Sequence, residues 1–298
     1  MTEKTIDTLV EDIQRILKDG VSNDDIPEGT FEVSGSRLSD LLRSRLSASE
    51  REDKRGLRMS NIGKPCNRQL WYSVNGYEKE ELSASARLKF LYGDILEEVL
   101  LLLAELSGHK VEGRQDVQSI AGIEGHRDAV IDGVVVDTKS ASTYSFKKFE
   151  EHRLHEDDPF GYVEQIQGYI HSGQDDPVVT DKDRGAFLVI DKTLGNLCLD
   201  IHKRRDNPPI EKVYEFKKDM VSREEPPARK YSPEPEGKSG NMKLPMPCSY
   251  CDFKKSCHPG LRTFLYANKP VFLTKVQKEP KVPEVKDGQE RSPSVSED

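Results

Sequence analysis

The sequence of 298 residues contains few sulfur-containing and aromatic side chains and no long apolar run. No stretch approaches the roughly 18 consecutive apolar residues that a membrane-spanning helix requires. The first residues, Met1-Thr2-Glu3-Lys4, also lack the apolar region of a signal peptide. We therefore expect a cytoplasmic protein that has no membrane partner.

Positive charge is in deficit, since 45 Lys and Arg residues face 53 Asp and Glu residues and the net charge is −8. An acidic chain is a poor candidate for a protein that coats DNA non-specifically, and a nucleic acid would have to be met by a local basic groove. A nuclease remains compatible with this charge because its metal ligands are themselves acidic.

The few cysteines are too unevenly spread for a disulfide framework and favour a metal site instead. Cys248, Cys251 and Cys257 form a compact group of three thiols, for which Cys66 is the candidate fourth ligand and His258 a possible substitute. Zinc and a [4Fe–4S] cluster both accept four thiolates, so the spacing does not choose between them.

The central stretch of the chain reads as a β-hairpin. Short β-branched runs at 129–131 and 134–136 flank an Asp132-Gly133 pair, which is typical of a tight two-residue turn. Counting back across that turn places Asp128 near Asp137.

Residues two apart in a strand share a face, so Lys139 lies on the same face as Asp137. Two carboxylates and a lysine at one end of an apolar hairpin suit a divalent cation with an ammonium group beside it. The alternative is an ordinary edge hairpin with charged ends.

Two helices contribute further candidates. A long apolar helix predicted over 84–107 is expected to be central, and within it Gly93 precedes Glu97 by about one turn. A second helix, predicted over 160–171, carries Gln165 and Tyr169 on one face. Alternatively, Glu97 is a solvent-exposed side chain and Tyr169 belongs to the core.

The remaining chain divides into regions of different composition. Residues 1–58 are predicted to form an N-terminal helical region, and residues 59–265 the main domain. Within the latter, 207–243 is expected to be a helix followed by a long surface excursion. The segment 275–298 is rich in proline and charge and is predicted to be a disordered tail.

Together these elements resemble the PD-(D/E)XK nucleases over roughly residues 60 to 260. Within that superfamily the chain is similar to RecB-like exonucleases with an iron–sulfur staple, such as the CRISPR-associated adaptation exonucleases and the AddB-type recombination nucleases. The matching elements are Gly93 to Glu97, Gly125-His126-Arg127-Asp128, Asp137-Thr138-Lys139, Gln165 to Tyr169, and Cys66 with Cys248, Cys251 and Cys257. Relatives in these two groups usually have histidine at the position of Glu97.

The resemblance implies an α/β fold with a restriction-endonuclease-like core, in which helices flank a mixed β-sheet, plus an N-terminal helical part and a C-terminal Cys-rich segment. It also implies roles for the matched residues. Glu97, Asp128, Asp137 and the Thr138 carbonyl would bind Mg²⁺ or Mn²⁺. Lys139 would orient water or stabilise the transition state, and Gln165 and Tyr169 would place the DNA backbone and Lys139.

By the same resemblance, Cys66, Cys248, Cys251 and Cys257 would hold a structural [4Fe–4S] cluster, and the substrate would be DNA, most simply single-stranded. A channel for the strand would use Lys147, Lys148, Lys254 and Lys255, with Tyr144, Tyr250 or Phe253 stacking on bases. No Gly-x-x-x-x-Gly-Lys-Ser/Thr motif is present, so a helicase or recombination partner would be a separate chain. The source would be a prokaryote or a phage, with the host cytoplasm as the compartment in the latter case. The open alternatives are a catalytically degenerate DNA-binding subunit and a zinc-stapled endonuclease.

Overall fold

A computed structural model describes residues 4–47, 56–267 and 269–285. The chain divides into two compact units, Met1–Pro65 with Arg87–Asp219 (unit 1) and Cys66–Ala86 with Met220–Asp298 (unit 2). Among the described residues, no helix combines the length and the apolar character needed to cross a membrane.

In the described ranges, the α-helices are α1 (Leu9–Asp19), α2 (Thr30–Leu46), α3 (Asn67–Val74), α4 (Ala84–Leu106), α5 (Thr143–Glu150), α6 (Tyr162–Ser172), α7 (Ile210–Val221), α8 (Met246–Ser249) and α9 (Lys254–Cys257). The strands are β1 (Val111–Glu112), β2 (Val117–Ile120), β3 (Ile123–His126), β4 (Ala129–Ile131), β5 (Val134–Ala141), β6 (Arg184–Asp191), β7 (Leu197–Lys203), β8 (Glu234–Glu236), β9 (Asn241–Lys243), β10 (Arg262–Tyr266), β11 (Lys269–Lys275) and β12 (Glu284–Val285).

Unit 1 is built on a mixed five-stranded sheet in the order β1-β4-β5-β6-β7. Strands β4 and β5 are antiparallel, β5 and β6 are parallel, and β6 and β7 are antiparallel. Helices cover both faces of this sheet. The prediction of an α/β fold with a mixed sheet flanked by helices is therefore confirmed.

The predicted central hairpin is β4–β5, with Ile131 opposite Val134. Its two-residue turn has positive φ at both positions, 49° at Asp132 and 79° at Gly133, as the twist of a tight hairpin requires. A Cβ on Gly133 would lie 1.8 Å from Oγ1 of Thr180, so close packing also requires glycine there.

Alternation along the strands sorts their side chains between two apolar layers. Val135 and Phe187 belong to the layer that includes residues of α5 and α6. Val136 and Leu188 belong to the opposite layer, with residues of α1 and α4. Because Asp137 follows Val136, it returns to the same face as Val135 and Phe187.

The hairpin turn is linked to α1 through a buried histidine. His109 Nδ1 lies 2.6 Å from Oδ2 of Asp132, and its Nε2 lies 3.1 Å from Oδ2 of Asp12. Lys4 Nζ lies 2.8 Å from the same oxygen of Asp12. The N-terminal helix α1 therefore packs within unit 1.

Helix α4 is less buried than its apolar sequence predicts. Leu88, Phe90 and Val99 have relative exposures of 66%, 59% and 40%, and only Leu100, Leu101 and Ala104 of this helix are buried. The expectation of a central helix is therefore wrong for its N-terminal half.

Unit 2 contains a five-stranded antiparallel sheet in the order β12-β10-β11-β9-β8. Strands β8 and β9 replace part of the predicted surface excursion. Strand β12 lies within the segment predicted to be a disordered tail and pairs with β10, whereas 286–298 lie outside the described residues. These strands have only two or three residues each, so an alternating pattern is too short to reveal them.

We predict that Asp12→Asn destabilises the protein in a pH-dependent way. Burial acts to raise the pKa of Asp12, but hydrogen bonds from Lys4 and Thr8 outweigh it and lower the pKa from 3.8 to about 2. Since the folded pKa is depressed, the contribution of Asp12 is complete above about pH 4 and is lost as the pH falls towards 2. Urea denaturation should give a loss of about 1 to 2 kcal/mol at pH 7, with a smaller difference from wild type below pH 4.

Asp19→Asn, at the exposed end of the same helix, is the matched control and should leave the free energy of unfolding nearly unchanged. A difference between wild type and Asp12→Asn that stays constant down to about pH 2 would contradict the ion-pair assignment.

Candidate active site

The candidate site is a cleft of about 910 Å³ within unit 1. It lies where α4, β3, β5 and α6 approach one another, beside the loop that precedes Gly63. Its lining includes all the side chains predicted for catalysis, namely Glu97, Asp128, Asp137, Thr138, Lys139, Gln165 and Tyr169.

The hairpin register brings the two aspartates together as the sequence predicts. Ala129 is opposite Val136, so the next positions outward are Asp128 and Asp137. Oδ2 of Asp128 accepts hydrogen bonds from the backbone N–H of Thr138, at 2.7 Å, and from its hydroxyl, at 3.0 Å.

Asp137 is buried, with 1% relative exposure, and is held on both carboxylate oxygens. Nε2 of Gln165 donates to Oδ1 at 2.9 Å, and Nζ of Lys139 forms an ion pair with Oδ2. Gln165 thus reaches the site from α6, as its helical position predicts.

Glu97 reaches the cleft from α4, one turn after Gly93. A Cβ on Gly93 would lie 3.5 Å from Oγ of Ser140 on β5, which is an ordinary van der Waals contact, so the packing of α4 on this strand does not require glycine. Oε1 of Glu97 accepts a hydrogen bond of 2.7 Å from Nε2 of Gln115.

Burial raises the pKa values of all three carboxylates, and repulsion from Asp137 adds to the shifts of Glu97 and Asp128. Burial, and then repulsion from Asp137, raise the pKa of Glu97 to about 7 against an ordinary 4.5. Burial, followed by repulsion from Asp137 and Glu97, also raises the pKa of Asp128 well above its ordinary value. Burial raises the pKa of Asp137, although Lys139 opposes this shift. Ionising all three carboxylates therefore costs free energy, and a bound cation would reduce that cost.

Lys139 is the compensating charge within this group. Burial would lower its pKa, but the attraction of Asp137 and Asp128 raises it above its ordinary value. Its Nζ also lies 5.0 Å from the centre of the Tyr162 ring. Lys139 is therefore a stable cation at neutral pH, suited to stabilising negative charge and not to accepting a proton.

Tyr169 and Arg127 fix the segment that leads into the hairpin. The buried hydroxyl of Tyr169 donates to the carbonyl oxygen of His126 at 2.7 Å. Arg127 has 1% exposure and donates to the carbonyl of Gly113 at 3.1 Å, while its Nη1 lies 2.6 Å from Oδ2 of Asp176. Tyr169 thus belongs to the core and also lines the cleft.

In the described part of the chain, no three His, Cys, Asp or Glu side chains are arranged to hold a metal ion as they stand. In the cleft, Glu97, Asp128 and Asp137 each accept hydrogen bonds from neighbouring protein donors. Their oxygen-donor chemistry nevertheless fits a hard divalent cation.

The four candidate thiols all belong to unit 2. Burial, and then the proximity of Cys66 and Cys257, raise the pKa of Cys248 to about 11. Burial also raises the pKa of Cys251 to about 12, with further contributions from Cys66 and Cys248. These mutual effects place the four thiols in one neighbourhood, where Cys251 and Cys257 pack against an aromatic cluster.

That cluster corrects part of the predicted strand channel. Phe253 is 2% exposed and packs with Trp71 and Tyr72, so it is a core residue. Lys254 is buried and forms an ion pair with Glu80. Neither side chain is available to DNA in this arrangement.

Three residues of the site were not found from the sequence. Gln115 gives no signal, since its role depends on a loop conformation with φ of 57°. His126 and Arg127 lie inside the matched 125–128 element, but nothing in the pattern assigns them contacts. In a sequence, an isolated polar residue beside a clear motif does not by itself indicate a functional role.

Comparison with known proteins gives limited information. No family model matches the chain, and no curated protein matches it. Among solved structures it is similar to SSO0001, with 17% identity and a TM-score of 0.43 over 76% of this chain and 96% of that one. It is also similar to a phage-related exonuclease from Haemophilus somnus 129PT, with 16% identity and a TM-score of 0.36 over 56% and 90% of the two chains. Both scores are low, so these similarities assign no family, substrate or cofactor.

We predict that Tyr169→Phe lowers the free energy of unfolding by about 1 kcal/mol, because it removes the hydrogen bond to the His126 carbonyl. Tyr214→Phe is the matched control, since Tyr214 is equally buried but its hydroxyl has no partner among the described residues. Thermal denaturation of both variants checks this difference, and an equal loss in both would contradict the role given to the Tyr169 hydroxyl.

Proposed function

We propose that this protein is a Mg²⁺- or Mn²⁺-dependent deoxyribonuclease of the PD-(D/E)XK type that acts as an exonuclease on single-stranded DNA. The observation that carries the proposal is the meeting of Glu97, Asp128, Asp137 and Lys139 in one cleft. Buried carboxylates with mutually raised pKa values, beside a permanently charged lysine, are typical of catalytic centres.

Glu97, Asp128 and Asp137, with the Thr138 carbonyl, would hold the cation. A divalent cation bound there would activate a water molecule and polarise the scissile phosphate. Gln115, Thr138 and Gln165 each hold only one oxygen of a carboxylate, so Oε2 of Glu97, Oδ1 of Asp128 and Oδ2 of Asp137 would face the cation. Oδ2 of Asp137 would have to be shared between the cation and Lys139.

Lys139 would stabilise the negative charge that develops on the phosphate during cleavage. Its raised pKa keeps it protonated, and the rings of Tyr162 and Phe187, with centres 5.0 and 5.7 Å from Nζ, hold the ammonium group in place. Gln165 would keep Asp137 oriented through its 2.9 Å hydrogen bond. Preorganised groups of this kind commonly contribute several kcal/mol to transition-state stabilisation.

The cleft also offers groups that suit a nucleic-acid strand. Arg58, Lys89 and Lys192 are exposed and line it, so they can meet backbone phosphates. Phe90, with 59% exposure, lines the same cleft and can stack on an unpaired base. This combination supports a single strand as the substrate, and a helicase or recombination partner would supply it from a duplex.

The cysteines of unit 2 would hold a [4Fe–4S] cluster with a structural role. The fit rests on the donor set, because Cys66, Cys248, Cys251 and Cys257 supply four soft thiolate ligands in an aromatic surrounding. Zinc accepts the same ligands and is the competing occupant.

A catalytically degenerate DNA-binding subunit is the second candidate. The observation that favours it is the pairing of Lys139 with Asp137, which occupies a carboxylate that a cation would need. Tight DNA binding without cleavage under any divalent cation would support this alternative.

We predict that Asp137→Ala abolishes metal-dependent shortening of end-labelled single-stranded DNA, because the central carboxylate of the site is lost. The assay compares Mg²⁺, Mn²⁺ and EDTA with anaerobically purified protein. Asp206→Ala, which changes an exposed carboxylate of unit 1, is the matched control and should cleave like wild type. Undiminished cleavage by Asp137→Ala, with contaminants excluded, would contradict the proposal.

We predict that anaerobically purified protein is brown and absorbs in the visible region, and that Cys251→Ser loses this absorbance. Cys198→Ser should retain it, since Cys198 packs in the core of unit 1 and not with the other thiols. Colourless wild-type protein with stoichiometric zinc would replace the iron–sulfur assignment by a zinc site.

A further inference from the structure

Gln115 bonds to two side chains of the cleft. It lies in a turn and has a left-handed backbone conformation with φ of 57°. Its backbone N–H donates to the carbonyl oxygen of Asp128 at 3.3 Å. Its side chain donates from Nε2 to Oε1 of Glu97 at 2.7 Å.

The carbonyl oxygen of Gln115 lies 3.1 Å from Nδ1 of His126. A carbonyl only accepts hydrogen bonds, so Nδ1 must carry the hydrogen. In the neutral imidazole, Nε2 then carries no hydrogen, so its lone pair can accept a hydrogen bond or bind a metal ion. His126 is exposed and lines the cleft together with the three carboxylates, and among the described residues its Nε2 has no partner.

Gln115 therefore fixes two cleft side chains at once, the carboxylate of Glu97 through its amide and the imidazole of His126 through its carbonyl. The carbonyl oxygen of His126 accepts a hydrogen bond of 2.7 Å from the Tyr169 hydroxyl. Imidazoles that ligate metals almost always donate the other ring N–H to a carbonyl or carboxylate, which sets the tautomer and the ring orientation.

We propose that Nε2 of His126 is a nitrogen ligand of the divalent cation, held in the required tautomer by the Gln115 carbonyl. This inference rests on the proposed function, because it assumes that Glu97, Asp128 and Asp137 supply the oxygen ligands. A mixed nitrogen and oxygen donor set favours Mn²⁺ relative to Mg²⁺, which prefers oxygen ligands alone.

The test is electron spin echo envelope modulation of the full-length protein loaded with Mn²⁺ alone, combined with titration of the Mn²⁺ affinity. Wild type should give the ¹⁴N modulation of a directly bound imidazole. His126→Leu should lose this modulation and bind Mn²⁺ about tenfold more weakly, with a smaller loss for Mg²⁺. His155→Leu, an exposed histidine outside the cleft, should behave like wild type.

A second variant separates the two roles of Gln115. Gln115→Met removes the donor to Glu97 but keeps the backbone carbonyl, so the Mn²⁺ affinity should fall while the ¹⁴N modulation remains. Melting temperatures of all the variants verify that they are folded.

Two results would overturn the inference, namely no ¹⁴N modulation in wild type or its persistence in His126→Leu. If DNA is nevertheless cut in a Mn²⁺-dependent way that requires Asp137, the proposed function stands without the histidine ligand. If Asp137→Ala leaves both the Mn²⁺ affinity and the cleavage unchanged, the proposed function fails as well.

Discussion

Mutual repulsion of three carboxylates in a partly buried cleft is the constraint on which the rest of the site depends. Burial raises the pKa values of Glu97, Asp128 and Asp137, and the charge of Asp137 raises those of Glu97 and Asp128 further. The surrounding structure offsets this cost with fixed donors, one for Glu97 and two each for Asp128 and Asp137. Buried carboxylates with raised pKa values are typical of sites where the negative charge binds a ligand or takes part in catalysis.

The sequence was most informative where the chemistry is local. The hairpin follows from β-branched runs around Asp132-Gly133, and its register places Asp128 opposite Asp137 by counting alone. Helical spacing likewise brings Gln165 to the cleft. In each case the relevant distance along the chain is short, or it is fixed by one regular element, so periodicity determines the geometry.

Other features depend on partners that are remote in sequence. Apolar composition suggested a central α4, yet Leu88 and Phe90 are exposed. In the sheet of unit 2, β11 pairs with β9 some thirty positions earlier, and Lys254 is the partner of Glu80, 174 positions away. Gln115 is the clearest case, since its function depends on one backbone angle and on two neighbours contributed by other elements.

Charge balance links these observations to the role of Lys139. Within the cluster of Glu97, Asp128, Asp137 and Lys139, three ionised carboxylates and one ammonium group carry a net charge of about −2. The divalent cation that we propose would offset the charge of these four groups. Because its pKa is raised, Lys139 stays protonated. A cation that binds Asp137 would therefore lie beside the charged ammonium group of Lys139. With a divalent cation bound, these four groups would carry no net charge, and the exposed Arg58, Lys89 and Lys192 of the cleft would supply the positive field that attracts an anionic phosphate.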